Sequence, residues 1–157
     1  QMKPKNNNKT AEDILPSGDL RENYDTFRSN MRKKLIEKGI NEQTADRLTW
    51  LYGTSINELL RYGEENSLWF EPLADDIDAI KGEVRLAVER EMALSVSDFM
   101  DRRSALLLFS ENHGISAVDT VTDIMGTLLG WNETKQKKER NHYMDIVNAH
   151  TISLHQT

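Results

Sequence analysis

The sequence predicts an all-α fold, a single orthogonal bundle of about six to seven helices preceded by a disordered or extended N-terminal arm. Three observations predict it. Helix-start signals recur: Ser55-x-x-Glu58, Ser95-x-x-Asp98 and Ser116-x-x-Asp119 each set a hydroxyl three residues before a carboxylate, so the two side chains can satisfy orphan backbone N–H groups reciprocally. Helix-stop signals answer them: Gly39-Ile40, Gly114-Ile115 and Gly130-Trp131 pair a glycine suited to the left-handed C′ position with an apolar residue that can fold back onto the preceding turn. No segment alternates polar and apolar residues long enough to make a strand.

In chain order, residues 1–18 come first. They carry three lysines, the run Asn6-Asn7-Asn8 and two prolines, with almost nothing to bury, and read as a linker or disordered arm. The helical domain is expected over 19–157. Its first helix, 21–38, ends where Gly39 lets Ile40 touch Leu35. The second, 42–52, carries the apolar edge Leu48, Trp50 and Leu51. The third, 56–64, starts at the Ser55 box. The fourth, 74–93, has an apolar stripe of Ile77, Ile80, Val84, Ala87 and Val88, and opens on Asp75-Asp76-x-Asp78, read as an acidic first turn. A calcium loop is the other reading of that run, but Lys81 occupies the position where such a loop needs glycine. The fifth, 96–112, starts at the Ser95 box and runs to the Gly114 stop, where Ile115 should touch Phe109. The sixth, 117–129, lies between Ser116 and Gly130, with Trp131 expected near Met125. The seventh is 133–149.

Composition sets the limits on function. The chain has 157 residues, which suits one domain with or without a tail, and needs no disulfide or metal to hold a core. It has no cysteine, which excludes disulfide scaffolds, iron–sulfur clusters and thiolate zinc sites and fits a reducing, cytoplasmic setting. A formal charge of −6 argues against sequence-independent binding to a polyanion. No apolar run reaches the ~18 residues a spanning helix needs. The chain opens on Gln1, with methionine at position 2, as expected of a piece cut from a longer polypeptide.

Two charges interrupt apolar stripes. Glu91 is the next residue on the inner face of the fourth predicted helix, and Arg103 falls between Phe99 and Leu106 on the fifth. One short turn separates them, so antiparallel packing can join them as a buried ion pair that fixes how the helices cross, with Arg102 reaching toward a neighbouring surface. Glu91 as a general base is the functional alternative, and the structural pair is preferred. His113, His142, His150 and His155 show no His-Glu-x-x-His spacing and are read as packed or solvated side chains, with no metal site. Lys135, Lys137, Lys138 and Arg140 form a basic face suited to solvent, an acidic neighbour or lipid headgroups. Trp50, Trp69 and Trp131 are the expected packing anchors. The Trp69-Phe70 loop before Pro72 either folds over the core or stands out as a docking patch.

The run from Gly82 to Ser104 carries a family resemblance. Glu91, Ala93, Ser95, Asp98, Arg102 and Arg103 resemble the Glu-x-Ala, Ser/Thr, Asp, Arg-Arg-Thr hallmark of the C-terminal helical domain of FAD-dependent glycerol-3-phosphate dehydrogenases and α-glycerophosphate oxidases, with Ser104 in place of the commoner Thr. Leu51-Tyr52-Gly53 and Ile124-Met125-Gly126-x-x-Leu129-Gly130-Trp131 extend the similarity, which runs from about Leu15 to about Val147. The resemblance implies a parent enzyme that oxidises glycerol 3-phosphate to dihydroxyacetone phosphate with hydride passing to FAD. It implies an N-terminal FAD and substrate domain as partner, homodimer contacts, and a parent located in the cytoplasm or peripheral on the inner face of the cell membrane. Here no two of the eight glycines stand in Gly-x-Gly spacing. The fragment is therefore expected to hold no catalytic or FAD-binding residue and to be inactive alone. Its structural motif would be Glu91, Ser95, Asp98, Arg102 and Arg103, and its candidate interdomain surface Trp69, Phe70 and Arg102. Two alternatives stay open: a freestanding helical interaction module, and a helix-turn-helix at Asn41 to Tyr62, whose reading helix offers Arg61 as its one cation.

Overall fold

The structure, a computed structural model, describes residues 24–154. The arm at 1–18, the expected helix start at 21 and His155 lie outside the described residues. Among those described, the fold is all-α with one short hairpin. Its elements are α1 (Tyr24–Glu37), α2 (Glu42–Tyr52), α3 (Ile56–Glu65), β1 (Pro72–Ala74), β2 (Ile77–Ile80), α4 (Lys81–Glu91), α5 (Leu106–Phe109), α6 (Val118–Leu129) and α7 (Glu133–Leu154), with a π-helical segment at Asp98–Arg103 before α5. No described helix is long and apolar enough to cross a membrane. The residues fall into two compact units that meet between Leu60 and Arg61, inside α3.

In the first unit α1 packs on α2. Phe27, Met31 and Leu35, four apart, form the buried stripe of α1. Gly39 (φ 91°) ends it as expected: the Ile40 N–H bonds the Leu35 carbonyl at 3.1 Å and the Gly39 N–H bonds that of Ile36 at 2.9 Å. The Asn41 side chain caps α2 by accepting the Thr44 N–H at 2.8 Å. Arg32 bridges the two helices to Glu42 (2.8 Å) and Asp46 (3.0 Å). Trp50 is not the packing anchor its size suggested, since it is 63 % exposed. Leu48 takes the inward position on α2, and two further residues at ~100° each carry Trp50 to the far side, where Arg28 stacks 4.1 Å from its ring centre.

The second unit builds its core from Ile77, Val84, Phe99, Val121, Met125 and Tyr143, with α6 packed between α4 and α7. Gly130 (φ 68°) stops α6 and returns the Trp131 N–H to the Gly126 carbonyl at 2.9 Å. Trp131 lies half-buried against the cluster that contains Met125.

Two expected helices differ from the sequence reading. Residues 74–80 are not helical: Asp75-Asp76 make the turn of an antiparallel hairpin, with Pro72 paired to Ile80 and Ala74 to Ile77. Aspartates favour turns, and the inward positions Ile77 and Ala79 alternate with exposed Asp78, so helical and strand periods coincide over this short run. The expected helix over 96–112 is broken. The π segment ends with the Ser104 N–H on the Phe99 carbonyl at 2.9 Å, Ala105 turns left-handed (φ 53°), and α5 is only four residues long. Gly114 (φ 71°) consequently closes a separate turn, with Ile115 bonded to Asn112. Phe109, 86 % exposed, is not covered by Ile115.

Candidate functional site

The residues of the family-like motif form one hydrogen-bonded loop between α4 and α5. Met92 ends α4 in the left-handed conformation (φ 58°), which normally suits glycine, and the Ala93 N–H closes the turn on the Ala87 carbonyl at 3.0 Å. The Ser95 capping box forms as read. The Ser95 hydroxyl accepts the Asp98 N–H at 3.1 Å, and the Asp98 carboxylate accepts the N–H groups of Leu94 and Ser95, both at 3.1 Å. Burial pushes the Asp98 carboxyl upward, but hydrogen bonding from Ser95 and the Leu94 N–H, with the charge of Arg102, outweighs it and holds the group below the ordinary aspartate range. Arg102 lies 3.3 Å from Asp98 and otherwise faces water.

Glu91 and Arg103 do meet, but not as a buried pair. Arg103 Nε lies 3.7 Å from the Glu91 carboxylate, with the side chains 44 % and 33 % exposed. The shorter bond, 2.7 Å, runs from the Arg103 guanidinium to the Glu91 backbone carbonyl. The expected helix is also wound differently here. Arg103 is the last residue of the π segment, just before the left-handed break at Ala105, and there its guanidinium reaches the end of α4. Arg103 therefore caps the carbonyl end of α4, where a cation suits the helix dipole.

A residue absent from the sequence reading completes the loop. Glu139 of α7, 6 % exposed, accepts the Val96 N–H at 3.1 Å and pairs with Lys135. Its only sequence signal was a carboxylate inside the Lys135–Arg140 basic face. Arg140 of that face is tied to Asp119, which explains why the Ser116 box does not form: Ala117 is the α6 N-cap.

The Trp69-Phe70 segment folds back. The Phe70 ring lies against Gly63, so closely that a Cβ there would stand 2.0 Å from it. Arg85 lies 4.0 Å from the Tyr62 ring centre and 5.3 Å from that of Trp69, and it is held by Glu65 (2.9 Å) and Glu89 (2.7 Å). Both Trp69 and Phe70 remain half-buried. The large apolar side chains of this unit left most open are Met92, Leu94 and Phe109, all around the motif loop. The candidate DNA-reading cation, Arg61, is paired with Glu65.

A dinucleotide such as FAD needs free backbone N–H groups where a strand turns into a helix. β2 runs directly into α4, but the buried Glu83 carboxylate accepts the Ile80 N–H at 2.8 Å and puts negative charge at that helix start. That helix start does not suit the pyrophosphate of a dinucleotide. Nor do any three His, Asp or Glu side chains converge among the described residues.

Comparison with known proteins places the motif loop in context. One protein family, described as the C-terminal domain of alpha-glycerophosphate oxidase, matches residues 10–136. The chain is 25 % identical over 135 residues to aerobic glycerol-3-phosphate dehydrogenase of Bacillus subtilis, covering 85 % of this chain and 24 % of that protein. It is 26 % identical over 116 residues to glycerol-3-phosphate dehydrogenase of Mycobacterium leprae, covering 74 % and 20 %. It is 28 % identical over 109 residues to the aerobic enzyme of Staphylococcus aureus, covering 69 % and 19 %. The chain thus spans about a fifth to a quarter of the relatives' length. No solved structure matches it.

Proposed function

The chain belongs to the family of the C-terminal domain of alpha-glycerophosphate oxidase, and on that premise we propose that it is the C-terminal helical part of a larger FAD-dependent glycerol-3-phosphate dehydrogenase or oxidase. The parent would oxidise glycerol 3-phosphate to dihydroxyacetone phosphate, with FAD and substrate held by the preceding part of the polypeptide. This part supplies packing against that body, or between two copies of the parent, and no catalytic group. The parent works in the cytoplasm, at the inner face of the membrane where its acceptor is a membrane quinone. The observation that carries the reading is the match over residues 10–136, which contains the whole Glu91–Ser104 loop. The Glu83 carboxylate at the α4 start, which would repel a pyrophosphate, supports the division of labour.

The packing surface we propose is the outer side of the motif loop: Arg102 with exposed Met92, Leu94 and Phe109. Trp69 and Phe70 contribute only the edges they leave open. The deciding experiment compares the gene product extended upstream with this chain alone. Flavin absorbance and glycerol-3-phosphate oxidation are expected in the longer protein and absent from the shorter. Stoichiometric flavin on the 157 residues alone, or a flavin-free and inactive longer protein, would overturn the reading.

A further inference from the structure

The fold assembles a second pair of side chains away from the motif loop. His113, in the turn after α5, meets His150, near the end of α7, although they are far apart in sequence. Their ring centres are 5.2 Å apart and their planes stand at 86°. His113 Nδ1 lies 2.8 Å from the Leu107 carbonyl. A carbonyl can only accept, so Nδ1 carries a proton and Nε2 is the nitrogen that could meet a metal ion. A backbone carbonyl on the second ring nitrogen is the outer contact that orients metal-binding imidazoles. The backbone is fixed as well. His113 is left-handed (φ 52°), and buried Tyr143 of α7 donates its hydroxyl to the His113 carbonyl. Two imidazoles sharing one tetrahedral ion, with metal–nitrogen bonds of about 2.1 Å, stand with ring centres about 5 Å apart. The observed separation needs little adjustment to reach that arrangement.

We propose that His113 and His150 form a two-imidazole site for a borderline transition-metal ion of the Zn²⁺, Ni²⁺ or Cu²⁺ class. Nitrogen donors suit these ions and not Mg²⁺ or Ca²⁺. No third His, Asp or Glu joins the pair among the described residues, so the ion keeps open positions for water or an outside ligand. Bound there, it clips the end of α7 to the turn that follows α5. The proposal stands apart from the flavoenzyme reading and departs from the expectation that the histidines ligate nothing. No His-Glu-x-x-His spacing marks the sequence, whereas the fold brings His150 to a partner far away in the chain.

The test is calorimetric titration of this chain with Zn²⁺ in a non-coordinating buffer, with Mg²⁺ as the control ion. One Zn²⁺ per chain and no Mg²⁺ heat are expected. The Zn²⁺ signal should disappear in His113→Asn and in His150→Asn and persist in His142→Asn. Circular dichroism establishes that each variant is folded. Because His113 sits in a strained turn, His150→Asn on the open helix decides the matter should the other variant fail to fold. Absence of Zn²⁺ binding, or binding unchanged in His150→Asn, overturns the proposal and leaves the pair as edge-to-face packing.

Discussion

At Arg103 one guanidinium nitrogen reaches the Glu91 carbonyl at 2.7 Å, while the carboxylate stays 3.7 Å from Nε. The two contacts separate by mutation. Glu91→Ala removes a half-exposed ion pair and should cost at most about 1 kcal/mol. Arg103→Ala also strips the carbonyl end of α4 and should cost about 1–2 kcal/mol. Urea denaturation of both variants reads the order, and equal losses would contradict it. Glu139→Leu leaves the buried Val96 N–H without its acceptor and should cost about 1–3 kcal/mol by the same measurement. Asp98 makes a pH prediction. Its folded pKa is lowered, so its contribution is full above the ordinary aspartate value of about 3.9 and is lost as pH falls through the folded value. Urea midpoints measured below about pH 4 should therefore fall more steeply in the native chain than in Asp98→Asn. What was legible at this scale was chemistry. The Ser95 box, the Gly39 stop and the meeting of Glu91 with Arg103 follow from local residue types. The exposure of that pair did not follow, because the stripe was read along one unbroken helix that the chain breaks at Ala105.

Helix α3 shows how one missing side chain fixes a neighbouring segment. At Gly63 the Phe70 ring occupies the space a Cβ would need, at 2.0 Å. Alanine normally favours a helix over glycine by about 1 kcal/mol. Here the ring would have to leave, and Gly63→Ala should destabilise by about 1–3 kcal/mol net. Gly126→Ala is the contrast: its new Cβ meets only the end of the Gln136 side chain, which can swing aside. Thermal unfolding of the two variants, and of Gly63→Ala with Phe70→Leu, distinguishes ring displacement from propensity. Recovery in the double variant is expected. Helices with long periodic faces, such as α1, α2 and α6, were legible nearly to the residue. The β1–β2 hairpin was not, because strands of three and four residues are shorter than any periodic window.

For the whole chain, charge and cysteine content spoke clearly and function did not. A formal charge of −6 and an Arg61 already paired with Glu65 predict no retardation of duplex DNA in a gel at low salt, where a helix-turn-helix protein would bind tightly. The division between Leu60 and Arg61 left no compositional trace, because it falls inside a continuous helix and not in a linker. The identity of the body was legible through the Glu91–Arg103 hallmark and the flanking Leu51–Gly53 and Ile124–Trp131 runs. Met92, stopped at the end of α4 with its backbone left-handed, holds its thioether in water at 79 % exposure, while Met100 and Met125 are sealed inside. An oxidant therefore finds Met92 well before either of those two, and a polar sulfoxide there would mar the apolar packing surface proposed above while leaving the interior intact.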